Sequence, residues 1–212
     1  MNTKLVATLA LLWITSAPTG AALAADTARG EALYDLCGQC HGPDGGGGGD
    51  PLAPAIAGLE EWYVTAQLYK FRNGARGAHP ADSSGLRMRP MSRTLANDDE
   101  VRAVAAYVSS LPTVRTELRL AGGDVSKGQE RYQQLCITCH GPDGKGIEQL
   151  AGAPIAHASD WYLLSQLQKF KSGVRGANPL DETGARMRPM AMILPDEQAM
   201  KDVIAYIMTL GT

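Results

Sequence analysis

The sequence predicts an all-α fold built from two tandem copies of one helical domain. Three observations lead to this prediction. A Cys-x-x-Cys-His motif occurs twice and uses all four cysteines, the chain repeats itself at a constant offset, and apolar residues recur at helical spacing. Each copy has about 100 residues, which is enough for a small domain with a modest core.

The internal repeat indicates where the domains begin and end. Trp62–Arg93 and Trp161–Met192 align without a gap at an offset of 99 residues and are identical at 18 of 32 positions. A duplicated domain is the simplest explanation of such identity. We therefore expect domains at residues 25–113 and 124–212, joined by a linker at residues 114–123.

Residues 1–24 have the three parts of a signal peptide. Lys4 supplies positive charge, Leu5–Ile14 is apolar, and residues 22–24 form an Ala-Leu-Ala cleavage site. The alternative is an uncleaved membrane anchor, but the apolar run is shorter than the roughly 20 residues that span a bilayer. We expect cleavage before Ala25, a periplasmic location and no transmembrane segment in the mature chain. Peripheral association with the membrane stays open.

Each copy contains three predicted helices and one long loop. The helices are Thr27–Leu36, Trp62–Asn73 and Asp98–Leu111 in the first copy, and Ser126–Leu135, Trp161–Ser172 and Asp196–Leu210 in the second. The loop of about 20 residues before each last helix carries Met-Arg-Pro-Met, and a residue before proline favours extended backbone. The spacing between a glycine in the first helix and the motif differs by one residue in the two copies. Gly30 precedes its motif by seven residues and Gly128 by eight.

The two Cys-x-x-Cys-His motifs predict covalent attachment of two c-type haems. The thiols would form thioether bonds to the haem vinyl groups, and the adjacent histidine would ligate iron. A redox dithiol or a zinc site would also use paired cysteines, but neither explains the adjacent histidine and the downstream methionines in both copies. The predicted attachment residues are Cys37, Cys40, Cys136 and Cys139, and the predicted proximal ligands are His41 and His140.

A second axial ligand should occur in both copies. His79 aligns with an asparagine and His157 with a glycine, so neither histidine repeats. Four methionines do repeat: Met88, Met91, Met187 and Met190. Most methionines are core filler, and the residues alone do not decide which member of each pair would bind iron. Ligation by His and Met would raise the reduction potential and suit electron transfer.

Two further features have alternative interpretations. Arg76 and Arg175 repeat and could pair with haem propionates, which we favour, or form part of a docking surface for an acidic partner. The glycine run at residues 45–49 could allow close approach of a partner, but we favour a flexible loop without a role. The net charge of −2 gives no sign of nucleic-acid binding, and the low aromatic content of 6% suits a core that a porphyrin completes.

These motifs and terminal helices resemble two tandem class I cytochrome c domains, and most of all the dihaem cytochrome c4 family. The resemblance covers residues 25–212 and implies an exported, mostly helical protein. It also implies that Met88 and Met187 ligate iron and that the Pro54 carbonyl holds His41. Ala153 stands at the position that matches Pro54, with proline one residue later, and this departure from the family pattern makes the corresponding bond in the second copy the weaker expectation.

The expected function is electron transfer between redox proteins, with no catalytic site in the chain itself. The partners that the resemblance implies are a donor complex and a terminal oxidase or a dehydrogenase. One alternative is a dihaem cytochrome subunit of a periplasmic dehydrogenase. Another is a dihaem enzyme such as a peroxidase or a thiosulfate-oxidising cytochrome, which would require an open iron coordination site.

Overall fold

The computed structural model describes residues 20–48 and 52–211 of the chain. Most of the predicted signal peptide, residues 1–19, therefore lies outside the described residues, and the first helix runs through the expected cleavage position. None of the helices in the described part of the chain is both long and apolar enough to cross a bilayer.

The first domain is a four-helix unit within the described residues. Its helices are α1 (Gly20–His41), α2 (Glu61–Asn73), α3 (Ser83–Arg93) and α4 (Asp98–Ser110). Helix α4 packs against α1 and α2, and α3 packs against α2. The apolar face of α4 supplies half of a small core, which consists of Tyr34, Leu68, Leu95, Val101, Val104 and Val108.

The second domain repeats this arrangement. Its helices are α5 (Val125–Arg131), α6 (Ile137–His140), α7 (Asp160–Ser172), α8 (Glu182–Ile193) and α9 (Glu197–Leu210). A π-helical turn at Tyr132–Cys136 joins α5 to α6, and Glu148–Leu150 forms a 3₁₀ turn. No strand occurs among the described residues, which contain one isolated bridge between Ile147 and Gly152. The predicted all-α fold is confirmed.

Glycine allows the first and last helices of each domain to cross closely. A Cβ atom on Gly30 would collide with the carbonyl oxygen of Ala103 in α4. A Cβ atom on Gly128 would likewise collide with the carbonyl oxygen of Asp202 in α9. Only glycine permits this backbone contact, and it fixes the register of the first helix at both crossings.

The extra residue between Gly128 and the second motif is absorbed by the π-helical turn. A π turn holds one more residue than an α turn, so the glycine and the motif keep their places on either side of it. The tyrosines before the motifs also keep their contacts. The hydroxyl of Tyr34 donates to the carbonyl of Gly42 at 2.8 Å, and that of Tyr132 donates to the carbonyl of Gly141 at 2.6 Å.

The prediction of an extended Met-Arg-Pro-Met loop was wrong, because these segments form helices α3 and α8. Buried aspartates start both helices. Asp82 accepts from the Gly85 N–H at 3.0 Å, and Asp181 accepts from the Gly184 N–H at 3.1 Å. The prolines inside the two helices are exposed. N-capping therefore outweighs the local preference for extended backbone before proline.

The linker is fixed to the second domain by a buried carboxylate. Asp160, the first residue of α7, is 1% exposed. Its Oδ2 atom accepts from the backbone N–H groups of Arg119 and Leu120, each at 2.7 Å. The aligned residue in the first domain, Glu61, is exposed. This carboxylate holds the linker to the body of the second domain.

Candidate functional site

The first cysteine motif lies at the end of α1. Cys37, Cys40 and His41 occupy positions i, i+3 and i+4 of this helix, so their side chains share one face. In the second domain, Cys136 ends the π-helical turn and His140 ends α6. In both domains, two sulfur atoms and one imidazole therefore lie together at the end of a helix.

Burial affects the first thiol of each motif. Cys37 and Cys136 are half-buried, and burial raises the pKa of both thiols, that of Cys136 to about 11. Cys139 is exposed. No group of three His, Cys, Asp or Glu side chains in the described part of the chain is arranged to hold a metal ion, so no zinc site is assembled there.

The two motif histidines are held by backbone carbonyls. The Nδ1 atom of His41 lies 2.8 Å from the Pro54 carbonyl oxygen, and that of His140 lies 2.8 Å from the Ala153 carbonyl oxygen. A carbonyl only accepts, so Nδ1 carries the proton and Nε2 keeps its lone pair. Burial lowers the pKa of both imidazoles and favours the neutral form that binds metals. Metal-ligating histidines are typically oriented in this way.

The bond in the second domain was the weaker expectation, because the sequence departs from the family pattern at this position. The expectation depended on a proline at the matching position, but the acceptor is a backbone carbonyl. Every residue has such a carbonyl, so Ala153 serves as well as Pro54.

In each domain, a turn that contains glycine connects the histidine to the segment whose carbonyl it contacts. The N–H of Gly47 donates to the carbonyl of His41 at 2.7 Å, and the N–H of Gly146 donates to that of His140 at 2.9 Å. Both glycines have positive φ angles, and a Cβ on Gly47 would lie 2.6 Å from the backbone of Pro54. Residues 45–47 therefore pack closely, in contrast to the flexible loop that the sequence suggested. A Cβ on Gly48 would meet no atom within 4 Å, and Gly49 lies outside the described residues.

The candidate methionines lie on α3 and α8. Met88, Met91, Met187 and Met190 are all half-buried, so exposure does not separate the two members of a pair. The structure places each pair in a short helix that an aspartate caps at its N-terminus. The assignment of Met88 and Met187 as ligands remains a prediction.

Arg76 and Arg175 lie between the two domains and are 8% and 9% exposed. Arg76 donates to Gln67 at 2.8 Å and to Tyr162 at 2.6 Å, while Arg175 donates to Gln166 at 2.8 Å and to Gln67 at 3.2 Å. Because both guanidinium groups are buried, they do not form a docking surface. Sequence reasoning missed the two glutamines, although they repeat at the same offset.

Positive charge is in excess at this interface. Among the described residues there, Lys70, Lys169 and the two arginines face two carboxylates, Asp82 and Asp181. Burial and the nearby charge of Arg76 lower the pKa of Arg175. This environment favours the binding of further anionic groups.

The described features define a two-domain helical protein in which each domain presents a Cys-x-x-Cys-His motif with a carbonyl-oriented histidine. The sequence profile of the cytochrome c family matches residues 27–112 and 125–211, and the chain belongs to this family. Domains of this family bind haem c covalently, and the chain accordingly carries two such haems.

Known proteins place the chain more narrowly with the dihaem cytochromes c4. It is 33% identical to a cytochrome c4 of Azotobacter vinelandii over 183 residues, which is 82% of this chain and 85% of that protein. It is 31% identical to the thiosulfate dehydrogenase electron acceptor of Stutzerimonas stutzeri over 190 residues, with coverage of 79% and 82%. The solved cytochrome c4 structure of Acidithiobacillus ferrooxidans matches with a TM-score of 0.64 at 25% identity, covering 82% of this chain and 98% of that one. The chain is therefore an electron-transfer protein of the c4 type.

Proposed function

We propose that this chain is a periplasmic carrier that passes electrons between respiratory-chain partners and performs no catalysis itself. In this proposal residues 1–24 are removed on export, and domains 25–113 and 124–212 each hold one haem. The observation that carries this proposal is the repeated bond at 2.8 Å between Nδ1 of a motif histidine and a backbone carbonyl. The histidine is buried in the first domain and half-buried in the second. This bond orients a neutral Nε2 in both domains, as a permanent iron ligand requires.

The residues have separate roles at each haem. Cys37 and Cys40 would hold the first haem through thioether bonds, with His41 proximal and Met88 distal. Cys136, Cys139, His140 and Met187 would do the same in the second domain. When bound, the haem iron supplies a one-electron ferric–ferrous couple, and thioether ligation favours the ferrous state. With His and Met as its two protein ligands, each iron would have no open position for a substrate, which supports a carrier over an enzyme.

The interface between the domains suits the haem propionates. Four cations lie there beside two carboxylates, and Arg76 and Arg175 are the most deeply placed. Anionic propionates would compensate the remaining charge and would contribute to holding the two domains together.

Mass spectrometry and two methionine variants test this function. The mature protein should begin near Ala25 and carry two haem additions. Met88→Ala should remove the sulfur-to-iron charge-transfer band of one haem, because the ligand is lost. Met91→Ala, the matched control, should keep the band and reduce only stability, by about 2–5 kcal/mol if the side chain is packed around the haem. Loss of the band in Met91→Ala alone would reverse the assignment.

A second candidate is an electron acceptor bound to a dehydrogenase. The relative from Stutzerimonas stutzeri supports this alternative, since it is named as the electron acceptor of thiosulfate dehydrogenase. Purification from the native host under mild conditions separates the two functions. A free carrier should elute alone, whereas an acceptor subunit should co-elute with a dehydrogenase and be reduced when the substrate of that enzyme is added.

A further inference from the structure

We propose that each domain positions the methionine-bearing helix of the other domain through one lysine. Lys70 of the first domain holds the N-terminus of α8, and Lys169 of the second domain holds the N-terminus of α3. This inference deepens the proposed function, because it rests on Met88 and Met187 as distal ligands.

The first of these contacts joins α2 to α8. The Nζ atom of Lys70 lies 2.6 Å from Oδ1 of Asp181 and also donates to the hydroxyl of Thr183. Asp181 is fully buried and is the N-cap of α8, where the same Oδ1 atom accepts from the Gly184 N–H. One oxygen atom therefore serves both the helix cap and the contact between domains.

The second contact has the same design with the domains exchanged. The Nζ atom of Lys169 in α7 lies 2.6 Å from Oδ1 of Asp82 and 2.6 Å from the hydroxyl of Ser84. Asp82 is 2% exposed and caps α3 through the Gly85 N–H. The lysines, aspartates and hydroxyl residues of the two contacts align at the offset of 99 residues.

Each capping aspartate depends on its lysine because the carboxylate of the aspartate is buried. Burial disfavours the charged carboxylate of Asp82, but the hydrogen bond and charge of Lys169 outweigh burial and lower its pKa. Burial lowers the pKa of Lys70, and Asp181 opposes this effect. Removal of either lysine would leave a buried carboxylate without its cation, which is more costly than the loss of a surface pair.

The N-cap stabilises the short helix that carries the methionine and therefore fixes the position of the methionine. Helices α3 and α8 have 11 and 12 residues, and each contains a proline that removes one backbone hydrogen bond. Helices of this length are marginal without tertiary support. Met88 and Met187 each follow the capping aspartate by six residues. Fraying at the cap would therefore move the distal sulfur, although the hydrogen bonds of each lysine go to the capping aspartate and a hydroxyl group.

The test uses the dihaem holoprotein with Lys70→Met or Lys169→Met. When the pH is raised, the methionine–iron band of the second haem should disappear at lower pH in Lys70→Met than in the parent protein, with the first haem unchanged. Amide hydrogen exchange should rise in residues 182–193 and stay constant in residues 83–93. Lys169→Met should give the reverse pattern.

Two further variants control for folding and for charge. Lys127→Met removes a lysine that pairs with an N-cap aspartate, Asp124, inside its own domain, and should alter neither band. Lys70→Arg, which keeps the charge, should restore most of the parental behaviour. It also keeps the test usable if Lys70→Met folds poorly.

An equal response of both haems would mean that the lysines only join the domains and would overturn the proposal. A response of the haem in the lysine's own domain, or no response of either haem, would also overturn the proposal. If Met187→Ala keeps its charge-transfer band, the ligand assignment of the proposed function fails. The exchange pattern of α3 and α8 would still decide whether the lysines position these helices.

Discussion

The linker contact at Asp160 provides a direct test of how the two domains are joined. Asp160→Ala removes a buried carboxylate that accepts from Arg119 and Leu120 at 2.7 Å each. The N–H of Trp161 also loses an acceptor at 2.6 Å. We expect the linker to detach from α7 while the helices of both domains stay folded.

The size of the effect follows from the three hydrogen bonds. A hydrogen bond to a charged group contributes about 1.5–3 kcal/mol. Arg119 is exposed, so water replaces much of its contact, and Leu120 is half-buried. The Trp161 N–H lies in the first helical turn, where such groups have no partner within the helix. We therefore expect the free energy of unfolding of the second domain to fall by about 2–4 kcal/mol.

Urea unfolding followed by circular dichroism measures this loss, and limited trypsin digestion measures detachment. Cleavage after Arg115 and Arg119 should become faster in Asp160→Ala. Glu61→Ala at the aligned, exposed position is the control and should alter neither measurement. An unchanged cleavage rate together with reduced stability would show that Asp160 stabilises α7 alone, and would refute its role in the linker.

Two other predictions concern pH and the proximal histidine. The pKa of Asp82 lies below its ordinary value of 3.8, so its contribution to stability is present above that value and is lost as the pH falls through the lower folded value. In Lys169→Met, Asp82 loses the partner that most lowers its pKa, so this pKa should rise. Stability should be lower by about 1.5–3 kcal/mol at neutral pH, and the loss in acid should begin at higher pH. Urea titrations at several pH values check this, and a constant difference at all pH values would contradict it. Pro54→Ala should cost about 0.4–1 kcal/mol through chain entropy and leave the potential of the first haem unchanged, because the carbonyl that holds His41 remains. A clear shift in a potentiometric titration would show that the proline ring itself matters.

Much of the fold could be predicted because its signals are local. The Cys-x-x-Cys-His motif is a contiguous chemical requirement, so no tertiary knowledge was needed to find Cys37, His41 and their partners. Amphipathic periodicity located α2, α4, α7 and α9 within one or two residues, since a 3.6-residue repeat appears in the sequence itself.

Helices α3 and α8 were missed because their determinants are not local. Pro90 argues for extended backbone, and the hydrophobic pattern around Met88 is weak. The decisive residue is Asp82, which is buried and pairs with Lys169, 87 residues away in the second domain. No window of sequence contains both partners of such a contact.

The sequence by itself indicated two tandem domains and predicted the haem attachment residues and the candidate axial ligands, because each of these depends on residue type and spacing along the chain. The tertiary structure decided how those residues are held. The extra residue between Gly128 and Cys136 is accommodated by a π-helical turn, because Gly128 must contact α9 while Cys136 keeps its place. Arg76 and Arg175 became buried interface residues because the two domains meet there. These outcomes depend on which backbone and side-chain atoms meet across the interior, and spacing along the chain does not specify that.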